Sequence, residues 1–477
     1  MHRSRVAALT VLTLLTGGVF AVGPAPAATA VPAVADPPCT AGAPLQTDFD
    51  GDGMPELVVG GRRDGADWTI RQQWVHPGDG GAAYWVLDTG ELRTADLNGD
   101  VCADAVLFAG SYTPWLKVAL GTPDGLDVAG ATEVPIPQAE DAGEEQDVAL
   151  EFEAAALRHH GLSQLVLSGR HSWEEGSEPY GGFIDFLTLD AGFGLAATQV
   201  LEFPGAEGPI RAFGSALATS GGTVAVGVPM ATVSGRFAAG AVRIYTPDGV
   251  DPGKFVLRKV LTQNSAGVPG AAESNDRFGA ALAMRDGRLA IGAPGEDDGR
   301  IGDAGLVQPL RWKEATATYT AYRAITQDTP GVAGSNEARD DFGARLAIAR
   351  GLTATGSYDI LIGASEDVGR KVDAGSVTVA NFTRSLYRTY TQSSSGIPGN
   401  AQTRDDFFHV GVLQGTAGVD TVLIGAPGED TGGVANLGRV VRSDGRKLTS
   451  RTAWSSVPVP PDAPSGIEQW GWDFAAG

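Results

Sequence analysis

Short apolar runs return along this chain at a nearly fixed spacing. Each run opens on an aromatic residue followed by glycine or a second aromatic residue, as in FGAALAM, and the openings lie 65, 64 and 65 residues apart. The openings are Phe213-Gly214, Phe278-Gly279, Phe342-Gly343 and Phe407-Phe408. A period of this length is typical of propellers, solenoids and other repeat arrays.

A second run, five residues long and strand-like, gives the number of repeats. Its copies end at Gly60, Phe108, Ser168, Gly227, Gly292, Gly363 and Gly425. Alternating apolar and polar positions in AVRIYTP and GSVTVANF predict strands with one buried face. No stretch keeps a helical period for more than two turns. The sequence therefore predicts an all-β chain of seven repeats.

The repeat boundaries follow from these two markers. We predict repeats at 45–91, 92–147, 148–208, 209–273, 274–337, 338–402 and 403–460. Similar connectors at 262–276, 326–340 and 391–405 are either structural crossovers or loops of one binding face. Residues 461–477 contain Trp470-Gly471, which resembles one more opening. We predict that this tail adds a closing strand to the first repeat, the alternative being a disordered tail.

The N-terminus has the pattern of an export signal. Arg3 and Arg5 precede the apolar stretch VAALTVLTLLTGGVFAVG, and small residues at 28–30 offer a cleavage site. We predict a signal peptide at 1–30 and a lead-in at 31–44, with an uncleaved membrane anchor as the alternative. No later segment is apolar enough to span a bilayer. The protein is therefore expected to be secreted, either free in the extracellular space or held at the cell surface.

The net charge of the chain limits the classes of partner that the protein can bind. The formal net charge is −22, and loss of the signal peptide with its two arginines changes it to −24. Such an acidic surface repels nucleic acid and anionic lipids. The expected partner is an extracellular protein or a glycan, and the expected state is a monomer.

The chain has two cysteines, Cys39 and Cys102. In an oxidising compartment a single pair tends to form a disulfide. This bridge would attach the mature N-terminus to the second repeat. Two free thiols are the alternative.

Two acidic loops have the spacing of a metal site, with oxygen ligands at alternate positions. The ligands predicted for the first loop are Asp48, Asp50, Asp52, the carbonyl of Met54, and Glu56. Those of the second loop are Asp96, Asn98, Asp100, the carbonyl of Cys102, and Asp104. Calcium prefers such a set of hard oxygens. An EF-hand is excluded because position 12 is Val59 or Leu107, and a solvated turn is the alternative to a metal site.

The chain resembles FG-GAP repeats, also called VCBS-type or integrin α N-terminal repeats. The resemblance lies in these acidic loops, in the Phe-Gly runs and in the Gly-Ala-Pro runs Gly292-Ala293-Pro294 and Gly425-Ala426-Pro427. The chain is also similar to secreted integrin-like bacterial proteins. The resemblance implies a seven-bladed β-propeller of four-stranded antiparallel blades, with calcium in loops on one face. The fourth to seventh repeats depart from the family because they lack the ligand set, with Asp359 and Asp420 as single remnants.

Acidic clusters also follow the Gly-Ala-Pro positions. They are Glu296-Asp297-Asp298, Glu366-Asp367 and Glu429-Asp430. Their acids do not alternate with other residues, so we favour solvated loops over cation sites here.

No catalytic constellation stands out in the sequence. The mature histidines have no zinc-ligand spacing, there is no Gly-x-Ser-x-Gly elbow, and His159-His160 fits a turn. The first expectation is therefore a non-catalytic module for adhesion or ligand binding. An extracellular hydrolase or lyase with an active site on a propeller face is the alternative, which a channel cluster of Asp, His and Arg would favour. A lectin using Trp68, Trp74, Trp85 or Trp115 is a third hypothesis.

Overall fold

The computed structural model describes Cys39 and Leu448 and the ranges 45–63, 71–76, 84–86, 91–109, 114–137, 148–173, 182–203, 214–383, 386–415, 418–444, 453–457, 459–460 and 467–474. All of these lie within one compact unit, Pro37–Gly477. The predicted signal peptide and the lead-in, apart from Cys39, lie outside the described residues. Within the described ranges, no helix has the length and hydropathy to cross a bilayer.

The described chain is built almost entirely from β-strands. In chain order they are β1 (Leu57–Arg63), β2 (Arg71–His76), β3 (Tyr84–Val86), β4 (Glu91–Ala95), β5 (Asp104–Ala109), β6 (Trp115–Thr122), β7 (Gly125–Glu133), β8 (Val148–His159), β9 (Leu162–Trp173), β10 (Gly182–Leu189), β11 (Leu195–Phe203), β12 (Leu217–Ser220), β13 (Thr223–Val228), β14 (Ala241–Pro247), β15 (Phe255–Leu261), β16 (Ala281–Arg285), β17 (Arg288–Ala293), β18 (Leu306–Lys313), β19 (Thr318–Ala321), β20 (Arg345–Arg350), β21 (Tyr358–Ala364), β22 (Ser376–Asn381), β23 (Tyr387–Tyr390), β24 (His409–Leu413), β25 (Thr421–Ala426), β26 (Arg439–Ser443), β27 (Trp454–Val457) and β28 (Ile467–Phe474). A short 3-10 helix at Glu314–Thr316 interrupts this pattern.

The strands pair into four-stranded antiparallel sheets. Six sheets are each made of four consecutive strands: β4–β7, β8–β11, β12–β15, β16–β19, β20–β23 and β24–β27. These sheets are the blades of a propeller, which confirms the predicted all-β class and the four-stranded antiparallel blade. One further sheet is composite, with the order β28-β1-β2-β3.

The composite sheet joins the two ends of the described chain. Strand β28 runs antiparallel to β1, with Val59 opposite Phe474 and Gly60 opposite Asp473. The tail at 461–477 therefore supplies a strand beside the first repeat, and the alternative of a disordered tail is wrong for 467–474.

Burial explains why the five-residue run was visible in the sequence. The seven copies of the run fall in β1, β5, β9, β13, β17, β21 and β25, the second strand of each sheet. All six residues of β13 are buried, whereas four consecutive residues of the outer strand β15 are exposed. A second strand has a neighbouring blade on both faces, so both of its faces must be apolar.

Apolar clusters fill the spaces between neighbouring sheets. Seven such clusters lie in the described chain, each containing residues of two sheets. One of them packs Leu57 and Val59 of β1 against Leu423 of β25 and Trp470 of β28. The core of the molecule is therefore a series of interfaces between blades.

The Phe-Gly openings sit where the backbones of neighbouring blades touch. Phe278 is fully buried and pairs with Gly240 of the preceding blade, and Trp470 pairs with Gly438 in the same way. A Cβ atom on Gly292, the glycine of Gly-Ala-Pro, would lie 2.2 Å from the carbonyl oxygen of Gly343. Both motifs therefore serve the close approach of the blades, where larger residues do not fit.

Candidate functional site

A cavity of about 240 Å³ lies where the first strands of the sheets meet. We call it the central channel. Small and apolar side chains such as Ala154, Ala218 and Ala283 form much of its wall. Charged and amide groups enter it from Gln46, Arg93, Arg345 and Asp473. Small-molecule sites are usually concave and place a few converging polar groups among apolar side chains.

Arg93, on β4, is the centre of the charged part of the channel. Its Nη2 lies 2.7 Å from Glu91 Oε2 and 3.2 Å from Glu153 Oε2, and its Nη1 lies 3.6 Å from Asp473 Oδ2. The three carboxylates come from β4, β8 and β28. We call these four residues the Arg93 cluster.

The carboxylates around Arg93 favour the charged form of its guanidinium. Burial opposes the charge of Arg93, but Glu91, Asp473 and Glu153 outweigh it, and the pKa of Arg93 is raised. One guanidinium faces three carboxylates, so the cluster keeps negative charge even when Arg93 is fully paired. Its side chains remain 15 to 29 % exposed, and those of Arg93 and Asp473 line the channel.

The Arg93 cluster has the groups needed for acid–base chemistry. A carboxylate can accept a proton from water or from a substrate carbon, and a guanidinium can stabilise negative charge that develops on an oxygen. Sequence reasoning missed these residues because they lie on strands about 60 and 380 positions apart. The available signal was the charged residues on two of the first strands, Glu91 and Arg93 on β4 and Glu153 on β8.

Histidines do not join the Arg93 cluster in the described part of the chain. His409 is buried, and its Nδ1 lies 2.7 Å from the carbonyl oxygen of Trp472. His159 and His160 lie at the turn between β8 and β9, as predicted, with ring centroids 4.0 Å apart. The side chains of His76 and His171 lie outside the described residues.

The first acidic loop brings its aspartates together. Ligand atoms of Asp48, Asp50 and Asp52 all lie within 4.8 Å of one another. Asp48 is fully buried, and its Oδ1 has no hydrogen-bond partner. Burial raises the pKa of Asp48, and the neighbouring charges of Asp50 and Asp52 raise it further. A buried carboxylate oxygen without a donor, next to two more acids, is what a calcium ion would satisfy, so the loop fits the predicted metal.

The last predicted ligand of the first loop, Glu56, is held from inside the loop. Its Oε2 accepts a hydrogen bond from the backbone N–H of Phe49 at 2.7 Å. Burial raises the pKa of Glu56 to about 8. Met54 is exposed, and its N–H donates to Asp52 Oδ1 at 2.6 Å.

The second acidic loop is similar but less open to a cation. Asp96 Oδ1 accepts the N–H of Gly99 at 2.6 Å, and Asn98 Nδ2 donates to Asp100 Oδ2 at 2.9 Å. The guanidinium of Arg158 lies against Gly99 and acts to lower the pKa of Asp96, which burial raises overall. This arginine would compete with a metal ion.

Asp104 has a structural role in addition to its predicted one. Its Oδ2 accepts the N–H groups of Leu97 and Asn98, and its Oδ1 accepts the N–H of Gly121 at 3.0 Å. Asp359 and Asp420 bind the amides of their own loops in the same way, with Leu352 N at 3.0 Å and Gly415 N at 3.0 Å. The single remnants in the later blades therefore hold backbone amides of their own loops.

The predicted disulfide is confirmed. Cys39 and Cys102 are bonded, with Cα atoms 5.6 Å apart. Both sulfur atoms pack against Gly51, and the N–H of Ala103 donates to the carbonyl of Asp48 at 2.7 Å. The bridge therefore lies between the two acidic loops and ties them together.

Of the tryptophans considered for a lectin, the structure describes the side chain of Trp115 only. It is half-buried, packs on the cluster between the first two blades, and has Lys117 Nζ 5.8 Å from its ring centroid. Trp68 and the side chains of Trp74 and Trp85 lie outside the described residues. Trp115 is a packed residue, so it does not support a lectin.

Comparison with known proteins yields structural neighbours only. No protein-family model and no curated protein matches the chain. A periplasmic gluconolactonase of Pseudomonas aeruginosa has a TM-score of 0.42 and 12 % identity, covering 85 % of this chain and 99 % of its own. An apocarotenoid oxygenase of Synechocystis has a TM-score of 0.41 and 11 % identity, covering 89 % and 94 %. A puromycin hydrolase has a TM-score of 0.32 and 12 % identity, covering 81 % and 52 %.

The expectation of a non-catalytic protein finds no support among these neighbours. The gluconolactonase, the oxygenase and the hydrolase are enzymes by their names. The expectation was based on the lack of a local catalytic motif, and such a motif need not exist when a site is assembled from several blades. At these TM-scores the neighbours assign no reaction, so a function must be argued from the residues of the channel.

Proposed function

We propose that this protein is a secreted enzyme, a hydrolase or lyase, with its active site at the Arg93 cluster in the central channel. The observation that carries the proposal is the convergence of Glu91, Glu153 and Asp473, from three different strands, on Arg93. Arg93 and Asp473 line the cavity. Structural ion pairs are more often found between two partners at a surface, where they contribute little.

Each member of the cluster has a role in this proposal. Glu153 is the general base, because it is the more exposed of the two glutamates that contact Arg93 Nη2. Arg93 holds the substrate oxygen on which negative charge develops. Glu91, with 15 % of its side chain exposed, and Asp473 fix the orientation of the guanidinium.

Charge and volume limit the substrate. The negative charge of the chain and of the cluster disfavours polyanions. A cavity of about 240 Å³ holds one small unit, such as a sugar ring or a short ester. We therefore propose a neutral substrate, either a small molecule or the end of an extracellular glycan.

Calcium has a structural role in this proposal. Asp48, Asp50, Asp52 and Glu56 would hold one ion, and Asp96, Asn98, Asp100 and Asp104 a second, weaker one. The ion would neutralise the buried acids of each loop and fix the loops on either side of the disulfide. This binding set follows the FG-GAP resemblance, which we retain as a proposal.

We also propose that the composite sheet is a seventh blade that closes the ring. Strand β28 contacts β24, and Asp473 on β28 approaches Arg93 on β4. Gln46 and Gln414 exchange hydrogen bonds between the same two ends of the array, one at 2.9 Å. Closure places Asp473 in the channel, so the active site depends on it.

Enzyme assays with the mature protein test the function. A panel of neutral glycans, lactones and esters is screened in calcium, and kcat/KM is then compared for wild type, Glu153→Gln and Glu133→Gln. We expect at least about a 100-fold loss in Glu153→Gln, as for removal of a general base. Glu133→Gln, on the exposed end of β7, should match wild type. Absence of turnover on the whole panel, or equal activity of the two variants, would contradict the proposal.

A further inference from the structure

Three clusters of one glutamine, one aspartate and one glutamate recur between the later blades, and all members are buried except the half-buried Glu296. We call them cage 1 (Gln263, Asp276, Glu296), cage 2 (Gln327, Asp340, Glu366) and cage 3 (Gln392, Asp405, Glu429). In each cage the aspartate follows the glutamine by 13 residues. The glutamine and the aspartate belong to the copied connectors, and the glutamate belongs to the acidic loop after the next second strand.

The contacts within the cages are the same three times. The glutamine Nε2 donates to the glutamate Oε2, at 2.6 Å in cage 3. The aspartate Oδ2 accepts the backbone N–H of the residue three positions earlier, at 2.5 Å from Glu273 in cage 1 and 2.8 Å from Glu337 in cage 2. This repetition indicates a built arrangement and not a chance cluster of acids.

Each cage also contains a buried amide oxygen without a partner. Gln263, Gln327 and Gln392 are 1, 3 and 2 % exposed, and the Oε1 of each lacks a hydrogen-bond donor. Because Nε2 of the same amide is bonded to the glutamate, Oε1 also lies close to that carboxylate. An unsatisfied buried acceptor costs about 1–3 kcal/mol. Three such oxygens at equivalent positions call for a ligand.

The acidic side chains inside the cages also indicate a positively charged ligand. Burial raises the pKa of Glu296 to about 7 and that of Glu366 to about 8, and in both cages the nearby aspartate raises it further. Two acids side by side in a buried site need a positive partner if both are to ionise. A cation would satisfy both the carboxylates and the glutamine oxygen.

We propose that cage 1 and cage 2 each bind a hard divalent cation, calcium, through the aspartate and glutamate carboxylates and the glutamine Oε1. Oxygen donors of this kind, two of them charged, are the ligands that calcium prefers. The ion ties a connector to the acidic loop of the next blade. The blades β16–β19 and β20–β23 lack a calcium ligand set in the loop before their second strand. The ion in the cage would stabilise them at the loop after that strand.

Cage 3 provides an internal comparison. Arg439 Nη2 lies 3.2 Å from Glu429 Oε1, so the glutamate already has a positive partner. No arginine is paired with Glu296 or Glu366 in the ion pairs of the described residues. Cage 3 is therefore expected to bind calcium much more weakly than the other two cages.

Equilibrium dialysis with radioactive calcium tests the proposal on the mature protein at neutral pH. Glu296→Gln and Glu366→Gln should each lose one bound ion, and Arg439→Gln should gain one. Glu273→Gln, an exposed acid next to cage 1, should keep the wild-type number and so controls for the general loss of charge. An unchanged number in both glutamate variants would overturn the proposal. Asp50→Asn with Asp52→Asn reports on the first acidic loop separately.

A second variant keeps the test decisive if a glutamate variant does not fold. Gln263→Glu adds a third carboxylate to cage 1. With a bound ion it should raise the calcium affinity of that cage at least tenfold, measured by dialysis on a protein whose circular dichroism is native in calcium. An affinity equal to or below that of wild type would contradict a cation in cage 1.

Discussion

Val101 and Gly53 occupy the same position in the two acidic loops. Both have a positive φ, 85° and 88°, in the region that favours glycine. For a β-branched residue this conformation costs about 1–2 kcal/mol. We expect Val101→Gly to raise the free energy of unfolding by about 1 kcal/mol and to raise calcium affinity at the second loop, because the strain is removed.

Urea denaturation and calcium titration measure this effect. Gly53→Val is the matched control and should have the opposite effect in the first loop. Equal or lower stability of Val101→Gly in both calcium and chelator would contradict the strain argument.

The pH dependence of stability follows from Glu56. Burial raises its pKa from 4.5 to about 8, so the folded calcium-free protein holds a proton that the unfolded chain releases. The free energy of unfolding should therefore fall as the pH rises from about 4.5 to 8. Asp104, with a pKa raised to about 7 by burial, contributes with the same sign.

Thermal melting in chelator between pH 4.5 and 8 checks this expectation. Calcium should flatten the decline because it stabilises the ionised acids, and Glu56→Gln should weaken the decline in chelator. A melting temperature that rises over this pH range in chelator would show that these acids are not buried as described.

Single residues were predictable where their partners are close in the chain. The predicted ligands of the first acidic loop span nine residues, so their spacing alone predicted that Asp48, Asp50 and Asp52 lie together. Arg93 and Glu153 meet through the packing of neighbouring blades, and Asp473 through the composite sheet. No local pattern contains such a contact.

At the scale of the strand, β28 is the element on which the composite sheet depends. Trp470 is fully buried, and its Nε1 donates to the carbonyl of Val457 at 3.3 Å. Trp470→Ala should lower the free energy of unfolding by about 3–5 kcal/mol, the usual cost of emptying such a site.

Chemical denaturation of the variant tests this value. Trp454→Ala, at a half-buried position on the outer strand β27, should cost clearly less. An equal loss of unfolding free energy in the two variants would mean that packing of β28 does not stabilise the fold more than packing of an outer strand.

Strands were predictable in proportion to their burial. The second strand of each blade was found from sequence because it is apolar on both faces. For the glutamates of the cages the sequence favours solvated loops, since nothing in the order of residues shows that Gln263 and Asp276 fold back onto Glu296. The connector, a structural crossover in one hypothesis and a binding loop in the other, contributes two of the three residues of each cage.

At the scale of the whole molecule, the repeat period predicted a repeat array, and the FG-GAP resemblance implied a propeller of four-stranded antiparallel blades. Neither was sufficient for function. A propeller places the first strands of all its blades around one channel, and a few charged residues there can form a site that no motif reveals. The expectation of a non-catalytic protein rested on the lack of a local motif, and such a lack does not exclude a site of this kind.

Blocking the channel tests the central claim most directly. Thr219 lines the cavity on β12, and Thr219→Phe would fill part of it without touching the Arg93 cluster. Thr318→Phe, at an exposed position on the outer strand β19, is the control. On a substrate found in the panel, kcat/KM should fall at least tenfold in Thr219→Phe and stay unchanged in Thr318→Phe, with equal melting temperatures. Full activity with a filled channel would contradict the account.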